Sequence, residues 1–224
     1  MNATTNQTCL QTRSWLALCC AALLLSGCQS AYYGTMEKLG YHKRDLLVDR
    51  VEDARDSQEA AKEQFQSALE QFSSVANFEG GNLEKQYKKL KREYERSDTQ
   101  AQAVRKRIDS VEKVSKALFK EWNAELSEYS NANLRRLSKA KLDQTRRRYD
   151  HLIDAMHRAE AKIDPVLSAF KDQVLYLKHN LNAQAIASLR DELTSVETDT
   201  ASLIREMEAS VAEANAFIEE IGKE

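Results

Sequence analysis

Few side chains in this sequence have the types and spacing that could do chemistry. A metal ion needs several imidazoles, thiolates or carboxylates converging on it, and the only histidines are His42, His151, His157 and His179. His151 and His157 would lie about 120° apart around a helix, so they do not form the i, i+4 pair that chelates a metal. No Glu-x-x-His constellation of the kind that builds a di-iron bundle occurs. Gly80-Gly81 leads into Asn82-Leu83 rather than Lys-Ser or Lys-Thr, so there is no phosphate-binding loop. A Gly-x-Ser-x-Gly nucleophile elbow is also lacking. No cofactor, no nucleotide and no enzymatic activity is expected.

What remains is electrostatic. From Leu134 to Arg148 the chain carries Arg135, Arg136, Lys139, Lys141, Arg146, Arg147 and Arg148 against a single acid, Asp143. Leu181 to Glu224 reverses the balance, with ten acids and three bases. Arg135, Arg136, Arg146, Arg147 and Arg148 are therefore candidate anion-binding residues, suited to lipid phosphates, glycan carboxylates or an acidic partner. The competing use of the same charges is pairing with acidic neighbours across the fold, which contributes little per pair. A net charge of −2 argues against nucleic acid as the partner.

The cysteines are Cys9, Cys19, Cys20 and Cys28, and Cys28 is set apart by what precedes it. A polar start whose only charged side chain is Arg13 leads into the apolar run Trp15 to Leu25, which is 11 residues long. A hydrocarbon core takes ~20 residues to span, so the run is too short for a membrane helix and has the order of a secretory leader. Leu25-Ser26-Gly27-Cys28 resembles the lipobox of bacterial lipoproteins. That resemblance implies a diacylglyceryl group on the Cys28 sulfur, removal of residues 1–27 as a signal peptide, and acylation of the new amine. The mature chain would then have no free thiol and no disulfide, and packing alone would hold it together. Several acyl chains at ~0.8 kcal/mol per buried methylene would make the attachment to the membrane permanent. Gln29 and Ser30 stand where an aspartate would retain an enteric lipoprotein at the inner membrane, so the same resemblance implies a periplasm-facing protein of the outer membrane. Export also separates the arginine-rich stretch from the chromosome.

Residues 28–40 read as a short tether containing Tyr32, Tyr33, Met36 and Leu39, whose aromatic members suit a headgroup region or the base of a folded domain. From residue 41 to 224 the sequence reads as helix. Glycine is absent between Asn82 and Ile221, and Pro165 is the only proline. Apolar residues recur at alternating steps of four and three, as in Leu47, Val51, Ala54, Gln58, Ala61, Phe65, Ala68, Phe72 and Val75. Comparable stripes run from Leu83 to Trp122, from Leu134 and Leu137 to Leu177, and from Ile186 through Leu203, Met207, Val211, Ala214 and Ile218 to Ile221. Helices are expected at about 41–78, 82–129, 133–180 with a kink at Pro165, and 183–221. Asn82 and Asn133 are the expected caps of the second and third. Gln58, Ser97, Ser115, Thr145 and Thr200 interrupt the stripes, where polar side chains fix register at some cost in stability. Long helices joined by short turns run antiparallel, so the expected fold is all-α, an elongated antiparallel four-helix bundle with coiled-coil-like heptad seams.

Five segments carry a second resemblance: 41–45, 48–51, 54–58, 144–149 and 177–182, reading YHKRD, VDRV, ARDSQ, QTRRRY and LKHNLN. Together they resemble a family of proteobacterial lipoproteins, the domain-of-unknown-function family twenty-nine fifty-nine, over essentially the whole mature chain. The resemblance implies no activity. Combined with the residues, it leads to an expected lipid-anchored envelope protein of structural or adaptor type, meeting a protein partner or its own copies. The alternative is a binding protein whose basic helix captures an anionic envelope component.

Overall fold

The structure, a computed structural model, describes residues 42–221, and Leu46–Glu224 forms one compact unit. Five helices make up the four legs of an antiparallel bundle: α1 Lys43–Ala76, α2 Leu83–Glu125, α3 Ala132–Ala161, α4 Ile163–His179 and α5 Ala183–Ile221. Helices α3 and α4 form a single leg. At 1.5 Å per residue α2 is on the order of 65 Å long.

Short turns with identifiable stop and start signals set the leg lengths. After α1 the chain turns at Gly81, whose φ of 118° is a conformation that side chains with a Cβ rarely adopt. The Asn82 side chain then caps α2 by accepting from the Lys85 N–H at 2.9 Å. At the next turn the cap is Asn131 and not Asn133: Asn131 is extended and its Oδ1 accepts from both Asn133 and Leu134 N–H groups. Asn133 lies inside the helix and accepts from Arg136 instead. Asn182 caps α5 through the Ala185 N–H.

The proline acts upstream of itself. Pro165 has no N–H to offer the carbonyl four residues back, at Ala161, and its ring crowds that carbonyl. The interruption falls at Lys162, whose N–H bonds back to Ala159 at 3.1 Å in a tighter turn. Lys162 keeps right-handed helical dihedrals, so the leg continues and Ala159, Ile163, Val166 and Phe170 stay buried along it.

The core lies between the four legs. On α1 every residue from the alternating stripe is buried, Gln58 included. Phe170 of α4 sits between Phe65 and Phe72 of α1, with ring centroids 6.5 and 6.1 Å away, and all three rings are fully enclosed. On α5 the buried face departs from the expected stripe near its C-terminal end. Ser210 and Phe217 are buried, and Val211 and Ile218 are only partly so. The buried face keeps an unbroken alternation of three and four through Leu203, Met207, Ser210, Ala214, Phe217 and Ile221, and Ser210 Oγ donates to Gln58 Oε1 at 2.8 Å across the α1–α5 contact, a pairing that valine could not make.

The apolar stripe of the third leg is not buried throughout either. Leu142 is enclosed, but Leu134 and Leu137 are 50 % and 53 % exposed. Register explains this. Asp53 of α1 pairs with Arg107 of α2, and Glu220 of α5 accepts from Gln144 of α3. Among the described residues α1 begins at Lys43 and α5 extends to Ile221, so the last turns of α2 and the first turns of α3 run past both, with no described leg over the two leucines.

The Gln58–Ser210 pair offers a direct test of core polarity. Ser210→Ala leaves the Gln58 amide without a partner in the core and is expected to cost about 1–3 kcal/mol in denaturant unfolding. Gln58→Leu combined with Ser210→Ala should recover most of that loss. Additive losses in the double variant would show that the two side chains are not coupled.

Candidate functional site

The basic stretch divides between two places on α3. Near the helix start, Arg135 is exposed, Arg136 Nη2 donates to Asn133 Oδ1 at 2.8 Å, and Lys139 pairs with Asp143 one turn on. The hydrogen bond from Lys139, with its charge, holds the Asp143 carboxyl below its ordinary range. Two turns further, Arg146 lies with its guanidinium 5.2 Å from the centroid of the Phe119 ring. That ring meets Tyr149 edge-on at 5.4 Å. Such an exposed cation over a buried aromatic ring contributes about 0.5–1 kcal/mol and ties α3 to α2. Arg147 is exposed, and Arg148 pairs with Glu220 of α5.

The five arginines therefore do not converge on one site. Arg146 and Arg148 join legs of the bundle, and Arg135 lies about 20 Å from Arg148 along the axis. Acid-rich α5 meets basic partners at Arg148–Glu220, Arg158–Glu206 and Lys62–Glu208, so part of the opposed charge seen in the sequence is used within the fold.

The helix ends that carry Arg135 and Arg136 form a hairpin with a distinct surface. Trp122 of α2 is half-buried there and donates from Nε1 to Ser138 Oγ at 2.8 Å, clasping the two strands of the hairpin together. Tyr129 in the turn is 39 % exposed, and Leu134 and Leu137 lie beyond it. A second exposed apolar group, Leu175, Tyr176 and Leu181, lies at the opposite end of the bundle. Nearby, Phe78, Leu83, Asn182, Ile186 and Arg190 line an open depression of about 400 Å³.

One titratable cluster stands out that sequence reading passed over. His157 of α3 has Nε2 3.0 Å from Glu112 of α2 and Nδ1 3.1 Å from Glu160. Both ring nitrogens face carboxylates, and only the protonated ring can donate from both. Arg105 of α2 adds a second clasp, reaching Glu160 on the last turn of α3 and Asp164 on the first turn of α4. The cluster thus spans the interruption at Lys162. The i, i+3 relation of His157 and Glu160 is visible in the sequence, but Glu112 is brought in only by the fold.

Burial works against the protonated His157 ring, but the hydrogen bonds and charges of Glu160 and Glu112 outweigh it and raise the pKa above 6.5. A raised folded-state pKa gives stability that is fully present below pH ~6.5 and is lost as pH rises through the folded value. The side chain is 45 % exposed, so the increment is expected to be a few tenths of a kcal/mol. His157→Gln should remove that pH-dependent part of the unfolding free energy. An unchanged pH slope in the variant would assign it elsewhere.

Among the described residues no group of three or more His, Cys, Asp or Glu side chains is placed to hold a metal ion, and no helix is long and apolar enough to cross a membrane. Cys28, the leader 1–27 and the tether residues Tyr32, Tyr33, Met36 and Leu39 lie outside the described residues. No curated protein and no solved structure matches the chain. The sequence model of DUF2959, a family of proteins of unknown function, matches residues 32–221, most of the chain and all five helices. The chain belongs to the DUF2959 family.

Proposed function

We propose that the protein is a lipid-anchored lipoprotein of the bacterial cell envelope, of structural or adaptor type and not an enzyme, that faces the periplasm from the outer membrane. The observation that carries this reading is Leu25-Ser26-Gly27-Cys28 at the end of a short uncharged apolar run. The extent of the family match supports it: the match begins at residue 32, just beyond Cys28, and leaves the leader out. The bundle supplies long charged helix faces to a protein partner or to a second copy. A second reading, capture of an anionic envelope component, is favoured by the exposure of Arg135, Arg136 and Arg147.

Cys28→Ser tests the anchor. In cells fed labelled palmitate the wild-type chain should take up label and fractionate with outer-membrane markers, and the variant should do neither. Membrane attachment unchanged by the substitution would contradict the reading. In-vivo cross-linking separates the two uses of the bundle, since an adaptor should give one dominant protein product.

A further inference from the structure

We propose that the α2–α3 hairpin end is a membrane-docking surface, which seats Leu134, Leu137 and Tyr129 in the interface of an anionic phospholipid bilayer with Arg135, Arg136 and Lys139 on the lipid phosphates. This deepens the lipid-anchored reading and rests on it for the presence of a membrane nearby. Three observations carry the proposal. The first is that the two leucines and Tyr129 are exposed together at a place where, among the described residues, α2 and α3 run past α1 and α5. Removing apolar surface from water is favourable, and two half-exposed leucines beside an exposed tyrosine are surface that a membrane interface would cover.

The second is charge. Residues 120–141 place five bases around the apolar residues, Lys120, Arg135, Arg136, Lys139 and Lys141, against three acids, Glu121, Glu125 and Glu128, with Asp143 pairing Lys139 one turn on. On the first turns of α3 itself, from Ala132 to Lys141, there is no acid. Basic residues around a small apolar group are the composition that binds an anionic interface, and a half-buried Trp122 with a tyrosine beside it suits the headgroup level. The third is where the chain comes from. Helix α1 is entered at Lys43 at this same end of the bundle, 15 positions after Cys28. A tether of that length reaches at most ~50 Å, so a lipid on Cys28 would keep the hairpin end close to the bilayer.

The test uses residues 28–224 carrying Cys28→Ser, which keeps every described core residue, from Leu46 to Ile221. In this chain Trp122 is the only tryptophan, the other being Trp15. Vesicles of phosphatidylethanolamine with one-quarter phosphatidylglycerol should bind it, with binding weakened by salt and Trp122 emission quenched by brominated acyl chains. All-phosphatidylcholine vesicles should bind at least ~10-fold more weakly. Leu134→Glu with Leu137→Glu, and separately Arg135→Gln, Arg136→Gln and Lys139→Gln together, should each reduce binding about tenfold or more, whereas Arg146→Gln with Arg147→Gln should not. The thermal midpoint of the leucine variant should stay unchanged, since both positions already face solvent. A lowered midpoint without vesicles would mean that another part of the chain covers the leucines and would overturn the proposal. So would equal binding by wild type and tip variants, binding to purified peptidoglycan with none to vesicles, or a leucine-dependent dimer that ignores lipid. Because lipidation is absent from this chain, failure here leaves the Cys28 anchor standing, and loss of the anchor in cells would leave a positive vesicle result intact.

Discussion

The fold depends on burying one narrow apolar stripe from each of four long legs, because the polar contacts between legs are few and mostly solvent-exposed. The chain has no cysteine after Cys28, so no disulfide can join the legs. Each leg can end only where a glycine, an asparagine cap or the proline allows, and those signals are few. Phe65, Phe72 and Phe170 fill the core in the half of the bundle nearer the Gly81 turn, and the small residues Ala54, Ala61 and Ala68 complete the buried stripe of α1. Once the stripes are paired, the lengths between stop signals decide which parts of each leg find cover. The uncovered hairpin end of α2 and α3 follows from that arithmetic rather than from any special motif.

Polar and charged side chains adjust this frame. Gln58 with Ser210 places a hydrogen bond inside the core and leaves Gln58 Nε2 and, further along, Thr200 Oγ1 buried with no partner among the described residues. Buried groups of this kind cost stability, and their best-attested use is to make one register preferable to its neighbours. Ser97 and Ser115 avoid the cost by donating to carbonyls of their own helix, Glu93 and Glu112. Outside the core, Arg105 and His157 bind α2 to both halves of the third leg across Lys162. A leg weakened by Pro165 is thereby held in line by its neighbour's charges.

Much of this was legible in the sequence because helical periodicity depends on local spacing. The stripe of α1, the Asn82 cap, the turn at Gly81 and the burial of Gln58, Ser97, Ser115, Thr145 and Thr200 all follow from residue types at fixed steps. Most of the misses originate in what lies across the bundle. Leu134 and Leu137 continue the stripe in spacing but have no opposing leg among the described residues, and register between legs is not written in one helix. Ser210 keeps the alternation of three and four that Val211 breaks, and its polarity hides that spacing until Gln58 is seen to face it. Asn131 and Asn133 are equally suited to cap, and the choice falls to the residue whose backbone is extended. The five arginines looked like one patch along the sequence, but Arg146 and Arg148 are drawn into contacts with α2 and α5, which leaves Arg135 and Arg136 at the end.

The end of the bundle where α1 begins is the end at which the α2–α3 hairpin is exposed, and the central physical claim is that cover by the described legs stops short of that hairpin. Amide hydrogen exchange of residues 28–224 in solution, free of membrane, tests that claim most directly. Exchange should be slow and cooperative through the buried stretches of all four legs and distinctly faster from about residue 126 to 138. Protection of Leu134 and Leu137 equal to that of Leu142 and Leu152 would contradict it, since it would place a covering element over the hairpin that the packing of the legs does not provide.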